Sequence, residues 1–281
     1  MSRAGWLNAA LAAIVVALGI FMYLSPAKDA AVEHPLSGLK VKEVRSLRIE
    51  RAGTAPVVLA RKEDTWFIEA PIAARADESR VLQLLAVVEA RTAHRLPPGD
   101  RGRFGLEPPQ ARVIVDGQTF RFGLVNDITR EQYVMAGDAV YALHPRYGAA
   151  LPESAVQLAS RQLFGPGEAP VRIALREFAV EQRDGKWTLA PRAADLSQDD
   201  FIRWVDEWRL ASALRVEPGP SARARDEIRI QLKNGGELTL GVIAREPELV
   251  LARSDEKLQY RFGAGLGKRL LSPPGDEKQK K

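Results

Sequence analysis

The sequence predicts an α+β protein: an N-terminal transmembrane helix followed by two tandem repeated units, each a mostly antiparallel β-sheet with one main helix. Three observations predict it. A helix pattern recurs, with Val81, Leu84, Leu85 and Val88 returning as Phe201, Trp204, Val205 and Trp208 about 120 positions later. Short β-branched and aromatic runs alternate with turn residues on both sides of each helix. The first residues contain an uncharged run from Trp6 to Leu24.

Apolar residues make up 46% of the chain, so four matched apolar positions alone would be weak support for a repeat. The neighbouring landmarks decide it. Asp77 and Ser197 both stand as cap candidates before their helices, Arg95 matches Arg215, and Trp66-Phe-Ile-Glu-Ala-Pro71 matches Trp187-Thr-Leu-Ala-Pro191.

Taken in order, the elements begin with a membrane anchor at residues 1–27. Trp6 to Leu24 as a helix would reach roughly 28 Å, close to the hydrocarbon thickness of a bilayer. Trp6 and Tyr23 suit the headgroup regions, Pro26 ends the helix, and Arg3 ahead of the span favours an inside N-terminus. A cleaved signal with Ser25-Pro-Ala27 at its end is the alternative, and its apolar core would normally be shorter. Residues 28–43 read as a tether, with Pro35 and Gly38 as helix breakers.

The first unit, residues 44–164, opens with strands at Leu47–Ile49, Val57–Leu59 and Thr65–Ile68. Its helix follows, then strands at 112–115, 119–122, 132–135 and 140–143, the first two around Asp116-Gly117. The segment from Leu151 to Pro170 reads as a joint with a brief helix. The second unit, residues 165–271, repeats the order with strands at 171–173, 178–180 and 186–189, a helix opened by Ser197-Gln-Asp-Asp200, and strands at 227–232, 237–240, 249–252 and 259–262. Ser197 and Asp200 resemble a capping box, and Asp184-Gly185 and Asn234-Gly235 are hairpin turns. Residues 272–281, with two prolines and three lysines, read as a disordered tail.

Composition narrows the chemistry. The chain has no cysteine, which excludes disulfides, thiolate metal sites and a thiol nucleophile. A formal charge of +5 is spread among residues of both signs, which suits a protein beside anionic headgroups better than a nucleic-acid binder. His34, His94 and His144 are scattered, without metal-ligand spacing. No serine lies in a Gly-x-Ser-x-Gly elbow. Gly263-Ala-Gly265-Leu-Gly267-Lys268 has the wrong spacing for a phosphate loop, and no useful helix is expected after it. Acidic pairs such as Asp199-Asp200, or Glu246 and Glu248, read as cap or loop charges. No catalytic residue, cofactor site or metal site is therefore expected. Trp66 and Trp187 are expected as equivalent core residues, and Trp204 and Trp208 as core rather than a stacking platform. Arg95 and Arg215 are the binding candidates: they either satisfy helix-terminal carbonyls or mark an equivalent anionic site in each unit.

The pattern Trp-x-hydrophobic followed by Ala-Pro, then Ala76-Asp77, Phe104-Gly-Leu-Glu-Pro108, Phe122-Gly123, Tyr133-Val and Val140-Tyr141, resembles the bacterial domain of unknown function DUF4340. The resemblance covers about Val44 to Phe164 well and the second unit more loosely, since a Gly-Leu-x-Pro counterpart is missing near Pro218. It implies a single-span envelope protein, N-terminus cytoplasmic and main domain periplasmic, that accompanies an ABC-type transport system, including systems with gliding-motility-type auxiliary components. The expected function is a non-catalytic accessory or structural component partnered with integral-membrane transporter subunits. The alternative is a periplasmic binding module for an envelope polymer or lipid.

Overall fold

The computed structural model describes residues 3–24, 32–191, 196–220 and 222–275. The expected signal-cleavage segment, the first part of the tether and the lysine-rich end of the tail lie outside the described residues. Helix α1 runs from Arg3 to Leu24 as backbone, with side chains described at Trp6 and from Leu11 to Phe21. Among the described residues no helix is long and apolar enough to cross a membrane.

Beyond α1 come β1 (His34–Pro35), β2 (Ser46–Glu50), β3 (Val57–Lys62), β4 (Thr65–Ala70), β5 (Ala74–Arg75) and α2 (Glu78–Leu85). They are followed by β6 (Arg91–Thr92), β7 (Arg95–Leu96), β8 (Ala111–Val115), β9 (Gln118–Val125), β10 (Gln132–Ala136), β11 (Ala139–Leu143) and the short α3 (Arg146–Ala149). The rest of the chain forms β12 (Pro170–Ala174), β13 (Ala179–Arg183), β14 (Lys186–Ala190), α4 (Gln198–Arg209), β15 (Arg215–Pro218), β16 (Asp226–Leu232), β17 (Glu237–Ala244), β18 (Leu249–Arg253), β19 (Leu258–Phe262) and α5 (Ala264–Leu271).

Among the described residues the strands make two large antiparallel sheets and one small pair, β1 with β6. The first sheet has the order β5-β4-β3-β2-β8-β9-β10-β11-β7 and the second β14-β13-β12-β16-β17-β18-β19-β15. Without β5, the two orders match strand for strand. In each sheet the short strand that follows the main helix, β7 or β15, is carried to the far edge. The fold is thus α+β, as the alternation of short strands around single helices predicted.

Local chemistry explains the elements. Asp77 caps α2 by accepting from the Arg80 N–H at 3.2 Å, and Ser197 with Asp200 makes a full capping box on α4. Val81, Leu84 and Leu85 bury one face of α2, and Phe201, Trp204, Val205 and Trp208 bury the matching face of α4. The β8–β9 turn places Asp116 and Gly117 at φ 44° and 85°, and the β13–β14 turn places Asp184 and Gly185 at 50° and 77°. Asp116 also accepts from the Ser46 N–H at 2.8 Å, tying its turn to β2.

A crossing segment explains a matched pair of glycines. Leu106, in the segment before β8, packs with Met135 and Val140 on the second face of the first sheet. A Cβ on Gly123 would lie 2.2 Å from the Phe104 carbonyl oxygen. At the matching place in the second sheet, a Cβ on Gly241 would lie 2.8 Å from the Ala224 Cβ. Each glycine lets another segment approach its sheet.

The structure departs from expectation in five places. The later part of the tether is packed: Leu36 and Val44 are buried, and the Leu36 N–H donates to the Ala90 carbonyl at 2.9 Å. The joint is core rather than linker, because Leu151, Ala155, Leu158, Leu163 and Phe164 bury in one hydrophobic cluster shared by both units. Its expected helix is a 3₁₀ turn at Ala155–Leu158. Trp66 is buried but Trp187, on edge strand β14, is only half-buried. The glycine-rich segment forms α5, in which Gly267 lets the helix rest on Leu249. The beginning of the tail is packed as well, with Trp204 Nε1 donating to the Ser272 carbonyl at 2.8 Å.

Candidate interaction site at the seam between the sheets

Three buried charged side chains, Arg75, Arg253 and Glu256, converge where the joint brings the two sheets together. Short strand β5 pairs with β4, Phe67 opposite Arg75, and places Arg75 against the β18–β19 turn of the other unit. The Arg75 side chain donates from Nε to Glu256 Oε1 at 2.6 Å and from a terminal nitrogen to the Gln162 carbonyl at 2.9 Å. Its backbone N–H donates to the same Glu256 oxygen at 3.1 Å. The Tyr260 hydroxyl donates to Glu256 Oε2.

Arg253, at the end of β18, completes the cluster. It grips Glu168 with two bonds, at 2.7 and 3.0 Å, and Asp255 at 2.9 Å. The Gly165 N–H supplies a further donor to Glu168 at 2.6 Å. A Cβ at Gly165 would lie 3.1 Å from the Arg75 Cδ, a tight contact against the side-chain stem. Arg75, Glu256 and Arg253 are 8%, 5% and 2% exposed, so the Arg75–Glu256 pair is withdrawn from water, where attraction is strong and an unpaired charge is costly.

The titration behaviour follows. Burial works against the charge on Arg75, but hydrogen bonding to Glu256 and the field of its carboxylate outweigh it, so its pKa lies above the ordinary value. Burial likewise opposes the charge on Arg253, and the bonds to Glu168 and Asp255 reverse the balance upward. For Glu168 burial alone would raise the pKa, yet Arg253 and the Gly165 N–H bring it below the carboxylate range. Tyr260 is pushed up by burial first and by the neighbouring Glu256 charge second.

A cleft of about 530 Å³ opens beside this cluster, with Lys62, Phe67 and Glu69 on its far wall. A second groove of about 900 Å³ runs along the start of α2 and the joint, from Arg61 to Ser212. Arg75 and Pro166 line both. Chemically, the buried pairs can hold the two sheets in one relative position, while the open grooves offer charged walls to a partner.

The binding candidates lie elsewhere. Arg95 and Arg215 stand in β7 and β15, the matching outer strands, rather than over helix-terminal carbonyls. Arg215 is engaged by Glu217 at 3.0 Å and Glu248 at 2.9 Å. Glu217 is held below the usual carboxylate range by Arg261 first, and by Arg215 and Gln259 as well. Arg95 is exposed and pairs only through its backbone with Tyr141 among the described residues. The three histidines stay apart: His94 Nδ1 lies 2.9 Å from Glu131, and His144 Nδ1 accepts from the Arg146 N–H at 3.1 Å. Among the described residues no group of three His, Cys, Asp or Glu side chains could hold a metal ion.

Sequence reasoning missed Arg75, Glu168, Arg253, Glu256 and Tyr260. The signal was thin: Ala252-Arg-Ser-Asp-Glu256 has the composition of a solvated turn, and Arg75 is separated from Glu256 by 181 positions.

A family model described as a domain of unknown function (DUF4340) matches residues 25–228. No curated protein and no solved structure matches the chain.

Proposed function

Because the chain belongs to the DUF4340 family, matched over well more than half its length, we propose that it is a non-catalytic, single-span bacterial inner-membrane protein. In this reading α1 is the anchor, the N-terminus is cytoplasmic and the two sheets lie in the periplasm. They serve as an accessory or structural component of an ABC-type envelope transport system, in contact with its membrane subunits. The units are read as a tandem duplication, supported by the matching strand orders, the paired helix caps and the equivalent glycines Gly123 and Gly241.

One observation carries the anchor. Leu11, Ile14, Val15, Val16, Leu18, Ile20 and Phe21 are all more than half exposed, on every side of α1, and no other part of the described protein covers them. A helix apolar all round needs apolar surroundings, and a bilayer supplies them. The described side chains account for the middle of the run, and the sequence continues it without charge from Trp6 to Leu24.

The test is topological. Reporters fused at Lys42 should be active only on the outer side of the membrane, and the full chain should resist carbonate extraction. Cytoplasmic reporter activity contradicts the orientation, and a mature chain beginning at Lys28 replaces the anchor with a cleaved signal.

The 900 Å³ groove favours a second reading, a periplasmic binding module for an envelope polymer or lipid. Envelope polymer that co-purifies with the chain in place of transporter subunits would select it.

A further inference from the structure

The segment Phe104-Gly-Leu-Glu-Pro108 borders a small pocket on the second face of the first sheet. Its start is tied down: the Gly105 N–H donates to the Gly102 carbonyl and the Leu106 N–H to the Arg101 carbonyl, both at 2.9 Å. Leu106 is thereby buried against Met135, and Arg101 is held beside the pocket. The cavity measures about 300 Å³, with Leu106, Pro109 and Met135 as its apolar wall.

The charged wall is an arrangement that costs a sheet stability. In the β8–β9 register Arg112 stands directly opposite Arg121, and Arg121 stands opposite Met135 on β10, so the two guanidinium groups share one face. Like charges so placed repel and weaken the pairing. Among the described residues the Arg112 side chain makes no hydrogen bond or ion pair, and Arg121 reaches only the Met135 sulfur, at 3.7 Å. Glu50, across from Arg112 on β2, is taken by Arg48 at 2.7 Å. The third arginine, Arg101, meets Glu107 at 3.1 Å in a pair exposed to water, which holds weakly and can yield. Three arginines against one glutamate leave the pocket an excess of two positive charges.

Strand pairing alone does not demand the two arginines. At the matching place in the second sheet, two residues before Gly241 as Arg121 is two before Gly123, Thr239 stands opposite Arg229. The opposed arginines therefore belong to the pocket, and an anion held between them would offset their repulsion.

We propose that this pocket binds a doubly charged phosphate monoester. Arg112 and Arg121 grip its oxygens from two neighbouring strands, in the forked geometry that suits guanidinium to phosphate, and Arg101 approaches from the loop. The two negative charges match the excess, whereas a single carboxylate would leave one positive charge uncompensated. The volume is at the small end for ligand sites, which fits a headgroup with a short organic part against Leu106 and Met135. The site goes beyond the docking role proposed above and needs no transporter.

The experiment titrates the full chain, in mild detergent and phosphate-free buffer at pH 8, with phenyl phosphate and reads the heat of binding. The expected result is saturable binding that weakens about tenfold in Arg112→Gln and in Arg121→Gln, the scale of one lost charge-assisted contact. Without ligand these two variants should melt no lower than the parent, because each removes a repulsion; a merely structural role would lower the melting temperature. Arg229→Gln, at the matching place in the second sheet, should leave binding unchanged. A parallel titration with phosphatidic acid in the micelles reads the source of the phosphate. Binding of phenyl phosphate places the source in solution, binding of phosphatidic acid alone places it in a lipid headgroup, and either supports the site. Binding of neither, equal binding of benzoate, equal binding of phosphatidylglycerol in the lipid arm, or undiminished binding in either pocket variant overturns the proposal. An equal loss in Arg229→Gln overturns it as well, in favour of unspecific charge, and so does a pocket variant that melts well below the parent without ligand.

Discussion

Arg75 and Glu256 meet at 2.6 Å, both buried, across 181 positions of sequence and across the seam between the two sheets. The pair fixes how one unit sits on the other. Removing one partner leaves the other charge buried without compensation, so Arg75→Ala or Glu256→Ala should cost about 3 to 5 kcal/mol. Urea unfolding of the full chain in mild detergent checks this. A variant as stable as the parent would show that water already screens the seam.

The cluster also sets two pH limits. The folded pKa of Glu168 is depressed, so the stability it contributes is present above the ordinary carboxylate value and is lost as pH falls through the folded one. Glu168→Gln should reduce stability at neutral pH and flatten the acid limb of a thermal-unfolding profile. An acid limb of unchanged steepness would contradict the assignment.

Tyr260 has the opposite sign. Its folded pKa is raised from 10.0, so its contribution is complete below that value and declines as pH rises above it. Tyr260→Phe should lower stability at neutral pH, because Glu256 loses a donor, and should weaken the alkaline decline. The measurement is melting temperature from pH 7 to 11, parent against variant.

The two tryptophans that match in sequence should respond differently. Trp66 is 2% exposed in the body of the first sheet, and its truncation to alanine should cost about 3 to 5 kcal/mol. Trp187 lies half-buried on β14, where its backbone N–H and C=O are both engaged by the Gln198 side chain at 2.9 Å. Its truncation should cost clearly less, since less apolar surface returns to water. Equal losses in chemical unfolding would place Trp187 in the core after all.

The paired glycines should differ in the same experiment. Gly123→Ala drives a Cβ against a backbone oxygen at 2.2 Å, whereas Gly241→Ala meets the Ala224 methyl at 2.8 Å. Both should destabilise, by about 1 to 3 kcal/mol for overpacking, with Gly123→Ala the larger.

Sequence alone supplied the longer strands, both main helices and their caps, because these depend on neighbours within a few residues: Asp77 on Arg80, Ser197 on Asp200, Asp184 on Gly185. It also supplied the membership that residues 25–228 carry. What it missed is set at long range. Two-residue strands such as β5 and β7 have no period to read. The joint looked like a linker because its prolines and glycines punctuate it, although Leu163 and Phe164 plug the core between the units. Arg253 and Glu256 looked solvated because only folding brings Glu168 and Arg75 to them. Arg95 and Arg215 stand on the edge strands β7 and β15, and Arg215 is already engaged by Glu217 and Glu248.

The central proposal is a tethered, non-catalytic pair of sheets that docks on a transporter. Its most direct test is affinity purification of the tagged full chain from membranes in mild detergent, with quantitative identification of what remains bound. The account predicts ABC-type permease and ATPase subunits in fixed ratio to the chain, lost when residues 1–27 are deleted and the rest is exported by a cleaved signal. A chain recovered alone from membranes, or transporter-free with bound envelope polymer, would contradict it.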